Sequence, residues 1–303
     1  MHLASSLLAM TLEQLRIFVA VAEREHVTRA AADLNLTQSA TSAAIAALEN
    51  RYGAKLFDRV GRRIELTEAG RLFLVEARAV LARAHAAETL LTDLAGLKRG
   101  ALSLAASQTV ANYWLPPLMH LYQERHPGIS LSLRIGNTEQ VAGWIHETSA
   151  DLGLIEGEID DPSLSARQVA EDEMVLVVGA GHPWAKRAAV TPEDLPGIPW
   201  VLREPGSGTR SIFETWLSEA GLSPDRLTLA MELPSNEAIR SAVAAGAGAT
   251  AISRLVVSSM LKAGTLVAVQ LPLPKRRFYA LRHKERHVTH AEQAFFALLA
   301  EQT

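Results

Sequence analysis

Residues 26–53 read HVTRAAADLNLTQSATSAAIAALENRYG, a pattern that predicts two short helices across a tight turn. Thr28 is the expected cap of the first helix, and Thr37 is the expected cap of a second helix over residues 38–52. Gly53 follows, where a helix commonly ends in the left-handed conformation. Two helices in this arrangement form a helix-turn-helix, whose second helix enters the major groove of DNA.

The flanking segments predict a winged form of that motif. Apolar residues recur at helical spacing over residues 12–24, which predicts an amphipathic helix. Residues 56–67 contain two short extended segments around Gly61, which predict a hairpin wing. The wing and the residues before it carry five cations: Arg51, Lys55, Arg59, Arg62 and Arg63. This basic stretch suits DNA phosphates, although a solvated helix end and loop fit the charge pattern equally well.

The second helix of the motif should have one apolar and one polar face. We expect Ala40, Ile45, Leu48 and Tyr52 to face inward, and the polar residues of the first turns to reach base edges. Together with the wing cations, the expected DNA-binding residues are Thr37, Gln38, Ser39, Thr41, Ser42, Arg59, Arg62 and Arg63.

The N-terminal region closely resembles the LysR-type transcriptional regulators. The resemblance rests on residues 29–34, 37–42, 56–59 and 66–70. It departs at Ala43, where the family commonly carries Arg or another polar side chain, so we expect no DNA contact from this position. The resemblance implies double-stranded DNA with a dyad operator as the partner.

Residues 68–97 predict one long linker helix with an apolar stripe. The stripe is formed by Leu72, Val75, Ala79, Ala82, Ala86, Leu90, Leu94 and Leu97. Such a stripe is typical of a seam between chains, and burial against its own chain is the alternative. The resemblance implies a homo-oligomer, a tetramer built as a dimer of dimers, and it allows RNA polymerase as a further partner.

From residue 100 onward, alternating strands and helices predict an α/β domain over residues 100–303. The chain should cross near Val169 and return near Val267, which divides this domain into two lobes with a cleft between them. Lobe I comprises 100–168 and 268–303, and lobe II comprises 169–267. The fold class is therefore α+β multidomain: a winged helix-turn-helix (10–67), a linker helix (68–97) and a two-lobed, periplasmic-binding-protein-like effector domain. The LysR resemblance implies the same architecture.

Residues 203–210, REPGSGTR, are the most informative part of the predicted cleft. Gly206 and Gly208 permit close backbone approach, and the following helix directs its N-terminal amides to the same place, which suits an anion. An ordinary helix cap by Ser207 or Thr209 is the alternative. The segment resembles the LysR branch that includes regulators of sulfur and inorganic-carbon assimilation, whose effectors are small anionic metabolites.

Other candidates follow strands whose carboxyl ends should face the cleft. The expected effector-binding residues are Ser107, Thr109, Asn137, Thr138, Glu156, Arg203, Ser207, Gly208, Thr209, Arg210 and Asn236. Glu156 is unusual in an anion site. It either pairs with Arg203 or Arg210, or selects a ligand that also carries a hydrogen-bond donor.

Composition narrows the function classes. The chain has 303 residues and no cysteine, which excludes disulfides and thiolate zinc sites and favours a reducing, cytoplasmic location. No apolar run approaches the ~20 residues that span a bilayer. Residues 1–10 lack the leading cation of an export signal, and Met10 is a candidate start. A secreted solute-binding protein would need such a signal and would have no use for residues 12–67.

An enzyme is the remaining alternative class. The ten histidines are scattered, and neither an HExxH nor a GxSxG motif occurs. We therefore expect no catalytic residues, no cofactor and no metal site.

Overall fold

The computed structural model of the chain describes residues 10–60, 63–94 and 100–301. It divides into two compact units, one ending at Leu91 and one formed by nearly all of the chain from Thr92 onward. The elements of the first unit are α1 (Leu12–Arg24), α2 (Val27–Asp33), α3 (Gln38–Tyr52), β1 (Phe57–Val60), β2 (Arg63–Leu66) and α4 (Glu68–Leu94).

Side-chain caps and a left-handed glycine set the helix ends of the first unit. Thr37 caps α3 and Gly53 ends it with a φ of 63°, which confirms both sequence predictions. The cap of α2 is His26, whose side chain accepts a hydrogen bond from the Arg29 amide. The prediction that Thr28 caps this helix was wrong, because Thr28 lies one residue inside it.

Ile45 and Leu48 of α3 are buried as predicted, but the rest of its inward face differs from the prediction. Ala40 is exposed and Tyr52 is 58% exposed, so neither faces inward as predicted. Thr41 is fully buried instead, which removes it from the polar face. The buried residues of α3, at helical spacing, are Thr41, Ile45, Leu48 and Glu49.

The core of the first unit is built around Phe18. Its ring lies 5.4 Å from that of Phe57 in β1 and 4.8 Å from that of Phe73 in α4. Ala77 of α4 is also buried in this core. The first turns of α4 therefore belong to the same packed unit as the helix-turn-helix.

Helix α4 also exposes apolar side chains along its length. Leu72 is 69% exposed, Val75 47% and Leu91 68%. Leu97 of the predicted stripe lies outside the described residues, as do the side chains of Ala86, Leu90 and Leu94.

The second unit alternates strands and helices. Its first half contains β3 (Gly100–Ser107), a π-helical turn (Val110–Trp114), α5 (Leu115–Arg125), β4 (Ile129–Gly136), α6 (Thr138–His146), β5 (Leu152–Glu156) and β6 (Leu164–Gly179). Its second half contains β7 (Pro199–Arg203), α7 (Gly208–Glu219), β8 (Thr228–Leu233), α8 (Asn236–Ala244), β9 (Ala249–Ser253), α9 (Arg254–Lys262), β10 (Leu266–Val269), β11 (Lys275–His283) and α10 (His290–Ala300).

The strands of this unit form two sheets that share β6. The order β4-β3-β5-β11-β6 makes one lobe, with β3 parallel to both β4 and β5. The order β6-β9-β7-β8, with β10 also on β6, makes the other. Residues 164–173 of β6 pair with β11 and residues 174–178 pair with β9. One continuous 16-residue strand therefore joins the lobes.

Three features of this unit differ from the sequence predictions. Ser107 was expected to follow a strand, but β3 continues through Ser107 and Gln108 already begins helical backbone. Helix α9 was not predicted. Residues 208–210 lie in the first turn of α7 rather than in the loop before it, because Ser207 occupies the cap position.

Candidate functional site: a recognition helix and an inter-lobe cleft

The exposed start of α3 carries a small set of ordered polar side chains. Gln38 Nε2 donates to Ser42 Oγ at 2.9 Å, and the hydroxyls of Thr37 and Ser39 lie 3.1 Å apart. Thr41 does not belong to this surface, because it is buried and donates to the Thr37 carbonyl oxygen at 3.1 Å. The sequence prediction that α3 exposes Thr41 was therefore wrong, whereas Gln38 and Ser39 are exposed.

The wing is fixed to the recognition helix by Glu49. Its carboxylate accepts from the amides of Leu56 and Phe57 and from Lys55 Nζ, at 2.9–3.2 Å. Burial by itself raises the pKa of Glu49, but the hydrogen bonds from Lys55 and the two amides outweigh it and hold that pKa below its ordinary value. Glu49 is therefore a buried structural anion that ties α3 to the start of the wing.

The wing strands β1 and β2 are antiparallel, with Val60 opposite Arg63. Arg62 lies outside the described residues, as do the side chains of Arg59 and Arg63. The start of α4 packs tightly below the wing: a Cβ at Gly70 would overlap the Leu56 carbonyl oxygen. Glycine is therefore required at that position.

In the second unit, the N-terminus of α7 meets the opposite lobe directly. The Gly208 amide donates to Thr138 Oγ1 at 3.1 Å, and the Glu139 amide donates to the Gly206 carbonyl at 3.1 Å. A Cβ at Gly208 would overlap the Glu156 carbonyl oxygen and stand 2.6 Å from Thr138 Oγ1. Glycine at position 208 is thus what lets the lobes approach this closely.

The cap position of α7 does not behave as an ordinary cap. Ser207 occupies it and is buried, but its side chain accepts no hydrogen bond from the helix amides. The Oγ of Ser207 is therefore not used to satisfy the helix end. The alternative of a plain cap by Ser207 does not describe this helix, whose N-terminal end carries a partial positive charge.

Thr209 lies beside a buried group of charges. Its hydroxyl accepts a hydrogen bond from Arg276 Nη1 at 2.9 Å and lies 3.5 Å from Glu156 Oε1. Arg276 forms an ion pair with Asp172 at 2.6 Å and a longer one with Glu156 at 3.6 Å. Glu156 therefore pairs with neither Arg203 nor Arg210 but with Arg276, which was not among the predicted residues.

In the sequence, Arg276 is the middle residue of the triplet Lys275-Arg276-Arg277, which begins a strand. Strand alternation turns the middle residue of such a triplet inward when its neighbours face solvent. Arg276 is indeed buried opposite Asp172 of β6, while Lys275 and Arg277 are exposed. A charged triplet directly before an apolar, strand-like segment was the signal that could have identified it.

A second polar group connects the lobes through Arg203. Its guanidinium donates to both carboxylate oxygens of Glu204, at 2.8 and 2.9 Å, and to Asn236 Oδ1 at 2.8 Å. Asn236 Nδ2 then donates to Thr109 Oγ1 at 3.1 Å, and Asn137 Nδ2 donates to Glu204 at 3.3 Å. Four predicted residues thus meet here, and Glu204 is an addition to the predicted set.

The two remaining predicted residues have different positions. Ser107 ends β3 and is buried, and its hydroxyl has no hydrogen-bond partner among the residues that the structure describes. Arg210 is held by Glu214 at 2.7 Å and by Glu232 at 2.6 Å. Arg210 also donates to the Arg203 carbonyl oxygen at 2.9 Å, so its guanidinium is held within its own lobe.

The lobes also bond to each other on the far side of Asn236. Gln108 donates to the Pro234 carbonyl at 2.6 Å and accepts from the Asn236 amide at 3.1 Å. The Tyr113 hydroxyl donates to Glu237 at 2.9 Å, and burial together with this carboxylate raises the pKa of Tyr113 to about 12. The second unit is therefore in a closed arrangement.

A cavity of about 930 Å³ opens beside the α7 N-terminus. It is lined by Thr138, Glu156, Ser207, Gly208 and Arg276, among others. Hydroxyls, a helix N-terminus and a buried ion pair equip such a cavity to bind a small polar ligand. No group of three acidic or histidine side chains that could hold a metal ion occurs within the described part of the chain. None of its described helices is long and apolar enough to cross a membrane.

Two family models match the chain. Residues 12–71 match the model described as "Bacterial regulatory helix-turn-helix protein, lysR family", and residues 95–303 match "LysR substrate binding domain". Among curated proteins, the chain is 37% identical over 287 residues to the uncharacterized HTH-type transcriptional regulator YeiE of Escherichia coli (strain K12), covering 94% of this chain and 95% of YeiE. It is 35% identical over 291 residues to the HTH-type transcriptional regulator CbbR of Rhodospirillum rubrum, covering 95% of each chain.

Solved structures show the same fold. Full-length CbnR complexed with its target DNA matches with a TM-score of 0.70 at 21% identity, covering 97% of this chain and all of that one. The regulatory domain of CcmR from Synechocystis PCC6803, in complex with 2-PG, matches with a TM-score of 0.62 at 26% identity. That match covers 68% of this chain and 98% of the CcmR domain.

Proposed function

For a chain that belongs to the LysR family of DNA-binding transcriptional regulators, we propose that a small anionic metabolite in the inter-lobe cleft controls operator binding. The family and its curated relatives are regulators and not enzymes. The chain accordingly has a helix-turn-helix domain and an effector-binding domain, and the proposal concerns what the effector is and where it binds.

The observation that carries the proposal is the N-terminus of α7. The cap residue Ser207 makes no side-chain hydrogen bond to the helix amides, the Thr138 hydroxyl of the opposite lobe accepts from the Gly208 amide, and the Thr209 hydroxyl lies in the first turn. The buried Ser107 hydroxyl, without a partner among the described residues, marks the lobe I side of the cleft. An anion at this place would gain amide and hydroxyl donors together with the favourable end of the helix dipole.

Two kinds of match support an anionic metabolite. Relatives from Cyanidioschyzon merolae and Allochromatium vinosum are named as a probable RuBisCO transcriptional regulator and a RuBisCO operon transcriptional regulator. The CcmR regulatory domain, a match at 26% identity, was solved with 2-PG bound. We therefore place 2-PG, with sulfur oxyanions, other phosphorylated metabolites and small carboxylates, in the panel of candidate effectors.

On DNA, we propose that Gln38, Ser39 and Ser42 of α3 read base edges in a dyad operator. Arg59, Arg62 and Arg63 of the wing would then contact phosphates. The exposed part of α3 beyond the first turn is rich in alanine, so phosphate contacts should supply most of the affinity.

For the assembly, we propose a homotetramer built as a dimer of dimers in the cytoplasm. The exposed Leu72 and Val75 of the linker helix (68–97) support this assembly, because an apolar stripe in solvent calls for a partner chain. In this proposal residues 10–67 bind DNA, and the two lobes, which meet near residue 174 of β6 and between β10 and β11, close on the effector. RNA polymerase is a further proposed partner.

The test is calorimetry of the wild type and of Thr209→Val against the panel. Charge-assisted hydrogen bonds contribute about 1.5–3 kcal/mol each, so loss of the Thr209 hydroxyl should weaken effector binding by about tenfold or more. DNA binding without effector should be unchanged, because Thr209 lies in the other unit. Unchanged affinity of Thr209→Val for the ligand that binds would remove this helix end from the site.

A further inference from the structure

Glu156 and Arg276 belong to a buried group of charges that is not neutral. Arg276 lies between the carboxylates of Asp172, at 2.6 Å, and Glu156, at 3.6 Å. All three side chains are at least 98% buried. One guanidinium thus faces two carboxylates, which leaves a net negative charge beneath the cavity that Glu156 and Arg276 line.

One oxygen of Glu156 has no hydrogen-bond partner. Oε1 lies near Arg276 and Thr209, whereas the buried Oε2 accepts no hydrogen bond from any residue that the structure describes. A buried carboxylate oxygen without a donor is costly, and a ligand that supplies a donor removes that cost. A ligand without a donor adds its own negative charge to the same place.

Two other cations near the cleft are also paired with carboxylates. Arg203 donates to both oxygens of Glu204, and Arg210 is held between two glutamates. The cavity walls contain six carboxylates and four basic side chains, so carboxylates outnumber cations around the cavity. A fully ionised anion therefore meets more negative than positive side chains here, and the helix N-terminus has to supply part of the stabilisation of its charge.

We propose that Glu156 makes this cleft selective for anions that carry an O–H group, either a hydroxyl on a carboxylate or a protonated oxygen on an oxyanion. The inference rests on the proposed function of the cleft and specifies its ligand class. The anionic end of the ligand binds at the α7 N-terminus, and its O–H donates to Glu156 Oε2. A site built around such a bond rejects analogues that lack the donor, because the buried oxygen is then left unpaired.

Two matched pairs of anions test this selectivity. Hydrogen phosphate and sulfate at about pH 8 share shape and charge, but only phosphate carries a proton to donate. Glycolate and acetate are both carboxylates, but only glycolate carries a hydroxyl. Calorimetry on the full chain should show the donor-bearing member binding about tenfold to a hundredfold tighter in at least one pair. The pair that responds identifies the source of the donor.

The variant Glu156→Gln keeps the shape of the side chain and replaces the carboxylate with an amide. It should reduce the preference in that pair to within about threefold, since the amide can donate to sulfate or to acetate. The matched control is Glu158→Gln, which removes one negative charge from the same cavity but whose carboxylate is bonded to the Tyr279 hydroxyl at 2.8 Å. The control should keep the wild-type preference.

The outcomes separate the two proposals. The selectivity of Glu156 is overturned if the wild type binds both members of each pair equally, or if Glu156→Gln keeps the wild-type preference. Neither result contradicts the proposed anion site. If none of the four anions binds the wild type, both the selectivity and the proposed anion site are overturned.

Discussion

Replacing Gly208 with alanine tests the closed arrangement of the lobes. A Cβ at this position would overlap the Glu156 carbonyl oxygen and stand 2.6 Å from Thr138 Oγ1. Both contacts come from the opposite lobe, so the overlap is relieved only if the lobes separate. Overpacking costs about 1–3 kcal/mol, and the hydrogen bond from the Gly208 amide to Thr138 contributes about 1 kcal/mol more.

A cost of about 2 kcal/mol against closure lowers the affinity for an effector that binds the closed state about thirtyfold. Calorimetry with the effector measures this loss. The melting temperature should fall by only a few degrees, since lobe separation relieves the strain without unfolding either lobe.

The matched control for this change is Gly143→Ala in α6. A Cβ at Gly143 meets no atom within 4 Å, so the substitution should stabilise the helix by about 0.5–1 kcal/mol and leave effector affinity unchanged. Wild-type affinity in Gly208→Ala would refute the argument that glycine at 208 sets the approach of the lobes.

Three further predictions concern the first unit. Gln38→Ala should cost about 1–3 kcal/mol of binding free energy, mainly on the cognate site. Arg59→Ala should weaken binding to all DNA sequences alike and reduce the slope of affinity against salt concentration by about one unit. Equal losses on cognate and random DNA for Gln38→Ala would contradict its role in reading bases. Changing Leu72 and Val75 to Asp should abolish operator binding while the effector domain stays folded, as ultracentrifugation, circular dichroism and gel shift would show; a monomer with full DNA affinity would exclude the seam. The folded-state pKa of Glu49 lies below its ordinary value, so its contribution to stability is present above that ordinary value and is lost as the pH falls through the folded pKa. Glu49→Gln should therefore flatten the fall of the free energy of unfolding at acid pH. An unchanged fall would exclude this role for Glu49.

The fold could be predicted from the sequence wherever local signals determine it. Thr37 and Gly53 mark the ends of α3 through their own backbone chemistry, and the alternation of strands and helices after residue 100 indicated the α/β domain. Part of the inward face of α3 was predicted wrongly, because small residues such as alanine and threonine give no clear apolar periodicity along this helix. Tertiary packing, not periodicity, put Thr41 inside.

The candidate site could be predicted only in part, for a different reason. Ser107, Thr138 and Gly208 could be predicted from local sequence, because they lie at strand ends or in the glycine-rich segment. Arg276 and Asp172 are 104 residues apart and meet only through the register of β11 on β6. Such a pairing between distant strands leaves no local signal beyond the inward position of the middle residue in a charged triplet.

The most direct test of the account is a gel shift with DNA from upstream of the gene that encodes the chain, with and without the anion identified by calorimetry. We predict tighter binding to this DNA than to random DNA of the same length, a protected region with dyad symmetry, and an anion-dependent change in affinity or in the length of the protected region. Equal binding to both DNAs, unaffected by the anion, would contradict an effector-controlled regulator.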